Sequence, residues 1–427
     1  MVFVEEPGLL HGEPPAPKPV CDEGYAPPAH RVKLLALKHA HARDERITFF
    51  EGPHKYRVDG DVMSISVTGL AGLHREQFDE NLTVLRMQRS KREPWPKLKY
   101  TVGAHRLGSE QGAPKALIVD DDTGLTLAHV DVNPGETAGA VTARLLELTG
   151  KSAGVTVHGY LRAMTSEEVL ASWEHTRSVA SAEGTEAHYQ MELLLNNDPH
   201  RAKDPEVVNG RKFLETVIAG LGATIYRTEW EIFSEASHIA GSVDAILRKP
   251  DGKLVIVDWK RSDKLECHLG SYERRKFMRS PFQHLEDCDG GQYALQLSLY
   301  RYILEKEYGF ECAELFVCSI HPDRPFHKQL PYLEREARCL MEQRAAWFSA
   351  WREASEESPA ELRCAESGRL PLKPVMHESR LVDASVLLED NPRVEPVEPG
   401  TLARIKSRLP TCTFTCEPLQ RVDLVQA

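Results

Sequence analysis

The segment Leu254-Val-Ile-Val-Asp-Trp-Lys260 limits the possible folds of this chain more than any other part of the sequence. Its apolar residues form an unbroken run after a turn signal at residues 250–253, which is typical of a strand buried on both faces. Such a strand lies inside a sheet that is covered on both sides. Two further strands are predicted before it, at residues 225–233 and 238–248, and the turn folds the second of them back against the third.

Helical patterns alternate with these predicted strands. Thr165 is a plausible N-cap for the first helical stretch, and a fourth strand is predicted from Ala313 to Ile320. The predicted helices cover residues 165–195, 205–220, 292–308 and 333–356. The order of helix, three antiparallel-prone strands, helix and strand predicts an α/β core.

The composition changes along the chain and suggests a domain organisation. Residues 1–44 are rich in Pro, Gly and His and are predicted to be a disordered arm. Residues 45–99 and 163–357 are predicted to form the main domain. Residues 100–162 have the order strand, turn, strand, helix, strand, which predicts an inserted small α+β module whose pattern resembles the first half of a ubiquitin-like grasp fold. Residues 358–427 are acidic and proline-bearing and are predicted to be a loose tail.

Charge and cysteine content restrict the environment and the partners. The net charge of -11 argues against broad coating of nucleic acid, so binding would need local basic strips, which occur at residues 86–106 and 260–279. Either strip could also be a solvated face. The nine cysteines are scattered, which favours reduced thiols, and no apolar run is long enough to span a membrane. We therefore expect a soluble intracellular protein, with its nuclear, organellar or cytoplasmic location open.

Three charged residues on two neighbouring predicted strands form the main candidate site. Asp244 and Asp258 are near enough to face one another across the strands that the turn brings together. A carboxylate at the end of a buried strand needs a partner, and a divalent cation such as Mg²⁺ or Mn²⁺ is one. Lys260 points to the same face as Asp258. The simpler alternative is a structural salt bridge between Asp258 and Lys260, with Asp244 facing solvent.

Five stretches in a fixed order carry a resemblance to a known family. They are Ala182-Glu-Gly-Thr-Glu-Ala-His188, Thr228-Glu-Trp-Glu231, Ile239-Ala-Gly-Ser-Val-Asp244, Val257-Asp-Trp-Lys-Arg-Ser262 and Gln292-Tyr-Ala-Leu-Gln-Leu-Ser-Leu-Tyr300. Together they resemble the PD-(D/E)XK nuclease superfamily, in particular its RecB-like exonuclease branch and the nuclease proteins of large DNA viruses and mobile elements. The resemblance implies a restriction-endonuclease-like core, in which helices flank a central mixed sheet.

The resemblance also implies roles for individual residues. Metal ligands would be His188, Asp244 and Asp258, and Lys260 would be the catalytic lysine. Glu229 is the better candidate than Glu231 for a further active-site acid. Gln296 and Tyr300 would support the site or contact nucleic acid. Two departures are the lack of cysteines at iron–sulfur spacing and the insertion at 100–162, which has no recognised counterpart.

The residues and the resemblance together predict a Mg²⁺- or Mn²⁺-dependent nuclease, and the resemblance implies that it acts on DNA, on single strands or duplex ends. The candidate nucleic-acid-binding residues are Arg261, Lys264, Arg274, Arg275 and Lys276. Gly241 is predicted to admit another backbone or the substrate at close range. The alternatives are a catalytically silent nucleic-acid-binding protein or an adaptor on a nuclease scaffold. A glycosidase with paired carboxylates fits less well, because Lys260 shares the face of Asp258.

Overall fold

A computed structural model describes most of the chain, namely residues 34–89, 101–103, 115–131, 138–151, 153–159, 161–163, 165–265, 276–389 and 392–410. These residues divide into two compact units. One unit comprises the described residues between Gln77 and Ala182, and the other comprises residues 34–76 and those from Glu183 onward. Within this described part of the chain, no helix is both long and apolar enough to cross a membrane.

The described residues form the following helices and strands. The α-helices are Leu34–Lys38 (α1), Val67–Gly72 (α2), Glu80–Arg89 (α3), Ala138–Thr149 (α4), Ser166–Leu195 (α5), Pro205–Phe213 (α6), Asp289–Glu307 (α7), Glu334–Glu356 (α8) and Pro399–Lys406 (α9). The strands are Ile47–Phe50 (β1), Lys55–Val58 (β2), Asp61–Val62 (β3), Ile65–Ser66 (β4), Thr101–Gly103 (β5), Lys115–Asp120 (β6), Thr126–Asp131 (β7), Val155–Gly159 (β8), Leu161–Ala163 (β9), Thr224–Ser234 (β10), Ile239–Arg248 (β11), Leu254–Lys260 (β12), Cys312–Ser319 (β13), Phe326–Leu330 (β14), Pro374–His377 (β15), Arg380–Asp383 (β16) and Glu395–Pro396 (β17).

The larger unit is built around a mixed sheet with the order β10-β11-β12-β13-β14, and β4 also pairs with β11. The pairs β10/β11, β11/β12 and β13/β14 are antiparallel, whereas β12/β13 is parallel. The predicted α/β class with a central mixed sheet flanked by helices is therefore confirmed.

Strand β12 is buried on both faces, as its apolar run predicted. Leu254 and Ile256 belong to a hydrophobic cluster that includes residues of α7 and α8. Val255, Val257 and Trp259 alternate with them and belong to a second cluster, which includes residues of α5 and α6. This period of two is the geometry of a strand between two helical layers.

Two helix starts illustrate how local signals act. Thr165 caps α5 as predicted, because the Glu168 amide donates to its hydroxyl and its own amide donates to the Glu168 carboxylate. Helix α7 begins at Asp289, three residues before the predicted start, with Cys288 as the N-cap. Gly291 therefore lies inside the helix, where a Cβ atom would come within 2.4 Å of the Glu286 carbonyl oxygen.

The smaller unit contains the predicted order of two strands, a helix and a strand. Strands β7, β6 and β8 form an antiparallel sheet, and α4 packs on it through Val141 and Leu145. The unit includes residues on both sides of the predicted insertion of 100–162, because Val84 of α3 packs against Val169 of α5. The resemblance to a ubiquitin-like grasp fold stays a prediction.

The expectation of a loose tail after residue 357 is wrong for the described residues as far as Pro410. Trp347 and Trp351 of α8 form a cluster with Leu362, Leu370 and Ile405. Strands β15, β16 and β17 form a further three-stranded sheet. The aromatic residues Trp347, Phe348 and Trp351 of α8 are thus the surface on which this segment is buried.

The predicted disordered arm also has ordered residues at its end. Arg43 donates to the carbonyl of Phe233 at 2.8 Å, and Asp44 accepts hydrogen bonds from Arg227 and the Trp230 indole at 2.8 Å. Residues 34–44 are thus part of the larger unit, and the rest of the predicted arm lies outside the described residues.

Candidate metal centre

The candidate site lies where β11 and β12 diverge. The ladder between these strands runs from Ala245 opposite Val257 to Arg248 opposite Leu254, whereas Ile239 and Ala240 of β11 pair with β4 instead. Asp244 is the residue next to the ladder, and its Oδ2 atom accepts a hydrogen bond of 2.8 Å from the Trp259 amide. At the opening between the strands, the Trp259 amide thus donates to a side-chain carboxylate of β11 in place of a backbone carbonyl.

Three side chains converge at this opening. His188 of α5, Glu229 of β10 and Asp244 of β11 each offer one ligand atom, and these atoms all lie within 4.8 Å of one another. The Nδ1 atom of His188 is 3.4 Å from Asp244 Oδ2. One imidazole and two carboxylates suit a divalent cation such as Mn²⁺, and carboxylates are the ligands that Mg²⁺ prefers. The donor set therefore fits a metal ion, without indicating which one.

Glu229 has an unusual backbone conformation for a residue inside a strand. Its φ angle is 42°, and the pairing of Thr228 with Ala245 and of Trp230 with Val243 places it level with Asp244. A non-glycine residue in this region costs on the order of 1–3 kcal/mol, and such strain concentrates at functional sites. Like charges on opposite residues of paired strands are also unfavourable. A bound cation would offset the repulsion between the two carboxylates.

A substitution of Glu229 tests this interpretation. In EDTA, Glu229→Gln should be more stable than wild type by about 0.5 kcal/mol, because one of two facing charges is removed. Saturating Mn²⁺ should stabilise wild type by about 3 kcal/mol at 100 times its dissociation constant but should leave the variant almost unchanged. Thermal melts with and without Mn²⁺ measure both effects.

Glu231→Gln on the same strand is the control for the loss of one charge and should keep the full Mn²⁺ response. An equal Mn²⁺ response in Glu229→Gln and wild type would exclude Glu229 as a ligand.

Asp258 lies beside this cluster, and its carboxylate contacts other side chains of the protein. Its Oδ2 atom is 2.6 Å from Lys260 Nζ, and its Oδ1 atom accepts a hydrogen bond of 3.2 Å from Gln296. Only 3% of Asp258 is exposed. Of the predicted ligands, the structure therefore groups His188 and Asp244 with Glu229, whereas Asp258 pairs with Lys260.

Burial and the partner's charge shift the pKa of Asp258, and likewise that of Lys260, in opposite directions. Burial raises the pKa of the Asp258 carboxyl, Lys260 opposes this effect, and Asp244 adds to it. For Lys260, burial lowers the pKa, but the Asp258 and Asp244 carboxylates outweigh it, so the pKa is raised and the ammonium stays charged. The salt bridge considered from the sequence is present, but Asp244 belongs to the cluster.

Aromatic side chains enclose the site on the α7 side. Tyr300 is 3% exposed, and burial raises the pKa of its phenol well above the usual range. A Cβ atom on Gly241 would lie 2.9 Å from the Tyr300 ring, so the near neighbour of this glycine within the protein is a tyrosine side chain and not the predicted backbone, while the close approach of a substrate stays a prediction. Sequence reasoning missed two further residues, Tyr56 and Tyr293. Burial raises the pKa of Tyr56, with nearby acids including Glu229 acting in the same direction, and the Tyr293 ring lies 5.1 Å from the Lys260 ammonium.

Arg261 was predicted to contact nucleic acid, but its guanidinium is used within the protein. Nη1 is 2.7 Å from a Glu183 carboxylate oxygen, and Nε is 3.0 Å from one of Glu206. Only 18% of the Arg261 side chain is exposed. This arginine is therefore not a free phosphate ligand in the structure.

The other candidate nucleic-acid-binding residues have different surroundings. Lys276 is exposed and forms a salt bridge of 2.7 Å with Glu76, whereas Lys264 lies exposed in the turn after β12. Arg274 and Arg275 lie outside the described residues, as does most of the basic strip at 86–106.

The geometry thus defines a class of site, a candidate divalent-metal centre in an α/β protein. No family model matches the chain, and no curated protein matches it. One solved structure, the crystal structure of SSO0001, is 21% identical, with 38% of this chain and 73% of that chain covered. Its TM-score of 0.17 is too low for the likeness to carry an argument about fold or activity.

Proposed function

We propose that the protein is a metal-dependent nuclease with a PD-(D/E)XK-like core. The observation that carries the proposal is the position of a charged lysine beside a cluster of metal-ligating side chains. Lys260 lies 2.6 Å from Asp258, whose charge environment includes both His188 and Asp244 of the cluster. A cation site with an adjacent ammonium group suits a reaction in which negative charge develops on a phosphate.

In this proposal His188, Glu229 and Asp244 hold Mg²⁺ or Mn²⁺. When bound, the cation supplies Lewis-acid chemistry, withdrawing charge from a phosphate and making water more acidic. Lys260 donates hydrogen bonds to the phosphate oxygens or orients the attacking water. Asp258 holds Lys260 in position and keeps it protonated, and Gln296 orients Asp258 through its 3.2 Å hydrogen bond. Tyr293, whose ring lies 5.1 Å from the ammonium, limits access of bulk water to the lysine.

The proposed substrate is DNA, as single strands or duplex ends, and this part follows from the family resemblance alone. The second candidate is a silent nucleic-acid-binding or adaptor protein on the same scaffold. The presence of the charged Lys260 beside the cluster favours the enzyme, because a binding protein has no need of both.

A digestion experiment separates these functions. Wild-type protein should degrade 5′- and 3′-labelled linear strands in Mn²⁺ or Mg²⁺, leave plasmid circles intact, and be inactive in EDTA. Asp244→Asn should be inactive in every condition and serves as the control for a contaminating nuclease. Circles cut as fast as linear ends would overturn the exonuclease assignment. Binding without cleavage in either metal would favour the silent scaffold.

A further inference from the structure

We infer that Arg261 is a positioning residue that fixes helix α5, and with it His188, against the end of strand β12. The inference rests on the proposed metal centre and adds to it a residue that need not touch metal or substrate. It also replaces the predicted role of Arg261 in binding phosphate.

The contacts of Arg261 connect three elements of the larger unit. Arg261 is the residue that follows β12. Its guanidinium forms one ion pair of 2.7 Å with Glu183 of α5 and another of 3.0 Å with Glu206 of α6. The two bonds use different nitrogens of one planar group, so they restrict its orientation as well as its position. Arg261 and Glu206 are 18% and 16% exposed, so water screens this pair less than a surface ion pair, whereas Glu183 is 42% exposed and water screens its bond to Arg261 more strongly.

The end of β12 is itself anchored. The Ile320 amide donates to the Lys260 carbonyl at 2.9 Å, and the Ser319 hydroxyl donates to the Ser262 carbonyl at 2.6 Å. Lys260 and Ser262, the residues before and after Arg261, are therefore both hydrogen-bonded to the end of β13 and the residue after it. Its two carboxylate partners are the groups that it can fix in place.

The position of His188 on α5 makes it sensitive to this connection. Within the larger unit Ala187 is the first buried residue of α5, and Glu183 lies one helical turn before it. His188 is five residues after Glu183, which corresponds to about 7.5 Å along the helix axis. The histidine thus lies at the start of the packed part of α5, at the end nearer the bond to Arg261.

Lys260 and Arg261 are neighbours in the chain, but their side chains lie on opposite sides of the sheet. Lys260 lies against Asp258 and Tyr293, on the side of α7, whereas Arg261 points towards α5 and α6. Successive residues of an extended chain point to opposite sides, so one dipeptide can hold both halves of the site. Loss of the Arg261 bonds should change the His188 side of the site and leave the Lys260 side intact.

Mn²⁺ binding to the full chain, measured by calorimetry, tests the inference without relying on cleavage. Arg261→Gln should weaken binding roughly tenfold, which is the low end of the loss for groups that hydrogen-bond directly to a metal ligand, because Arg261 acts on His188 through helix α5. Arg261→Lys should have a smaller effect, because an ammonium can replace only part of the planar contact. Arg324→Gln removes an equal charge from an exposed residue and should bind Mn²⁺ as wild type does.

A double-mutant cycle shows whether Arg261 acts through His188. Arg261→Gln/His188→Ala should bind Mn²⁺ no more weakly than His188→Ala alone, because the histidine that Arg261 positions is already absent. A further tenfold loss in the double variant would overturn the inference, and so would unchanged binding in Arg261→Gln. If wild type itself does not bind Mn²⁺, the metal centre fails as well. Should Arg261→Gln not fold, Glu183→Gln and Glu206→Gln are tested by the same cycle.

Discussion

Asp258→Asn should melt well below wild type and lose all measurable hydrolysis. The substitution leaves the Lys260 ammonium without the carboxylate that lies 2.6 Å from it, in a site where Asp258 is 3% exposed. Removing one partner of a buried ion pair costs about 3 kcal/mol, because the other charge stays desolvated. Hydrolysis is lost in the proposed mechanism because Lys260 is then no longer held in position by the Asp258 carboxylate.

The double variant Asp258→Asn/Lys260→Met should behave differently. Both charges are then absent, so no unpaired charge stays buried, which is the main cost of breaking a buried ion pair. We expect a melting temperature near that of wild type together with complete loss of hydrolysis. This outcome would separate the contribution of the pair to folding from its contribution to the reaction.

Lys260→Met alone should show a distinct pH dependence. Without the lysine, burial and Asp244 raise the pKa of the Asp258 carboxyl further. A carboxyl whose pKa is raised on folding stabilises the protein at low pH, and this stability is lost as the pH rises through the folded-state pKa. The difference in unfolding free energy between the variant and wild type should therefore become less favourable to the variant as the pH rises from 5 to 8.

Denaturant unfolding at several pH values, together with digestion of labelled strands, measures all three variants. A stable and fully active Asp258→Asn would contradict both parts of the expectation. If the double variant were as unstable as the single ones, the loss of stability would have to come from packing and not from unpaired charge.

Gly241→Ala should lower stability by about 2 kcal/mol and reduce hydrolysis. A Cβ atom at this position would lie 2.9 Å from Tyr300 Cε1, 3.0 Å from its hydroxyl and 3.1 Å from Val67 Cβ. Tyr300 and Val67 are both buried, so neither can move into free space, and such overpacking costs roughly 1–3 kcal/mol. Displacement of Tyr300 would also disturb the site, because its charge environment includes Asp244 and Asp258.

Gly184→Ala provides the matched control. Gly184 lies in α5 with open space around its Cα atom, so an added methyl group meets no other atom within 4 Å. Alanine favours a helix over glycine by about 1 kcal/mol, so this variant should be slightly more stable than wild type. Unfolding midpoints of the two variants give the comparison. Equal effects at both positions would mean that the contact with Tyr300 is not responsible.

Much of the larger unit could be predicted because its signals are local. The apolar run ending at Asp258 predicted a strand buried on both faces, and the cap at Thr165 predicted the start of α5. The order of strands and helices then followed from the alternation of these patterns. The face shared by Asp258 and Lys260 was also predictable, because side chains two residues apart in a strand point the same way.

The sequence by itself therefore determined the α/β class, the central position of β12 and the set of residues from which the site is drawn. Only the tertiary structure decided their partners. Divergence of β11 from β12 groups Asp244 with His188 and Glu229, while Asp258 is taken by Lys260 and Gln296. The same holds for Arg261, which two helices hold between them. Strand and helix periods depend on neighbouring residues, whereas the contacts of a charged side chain depend on distances between segments far apart in the chain.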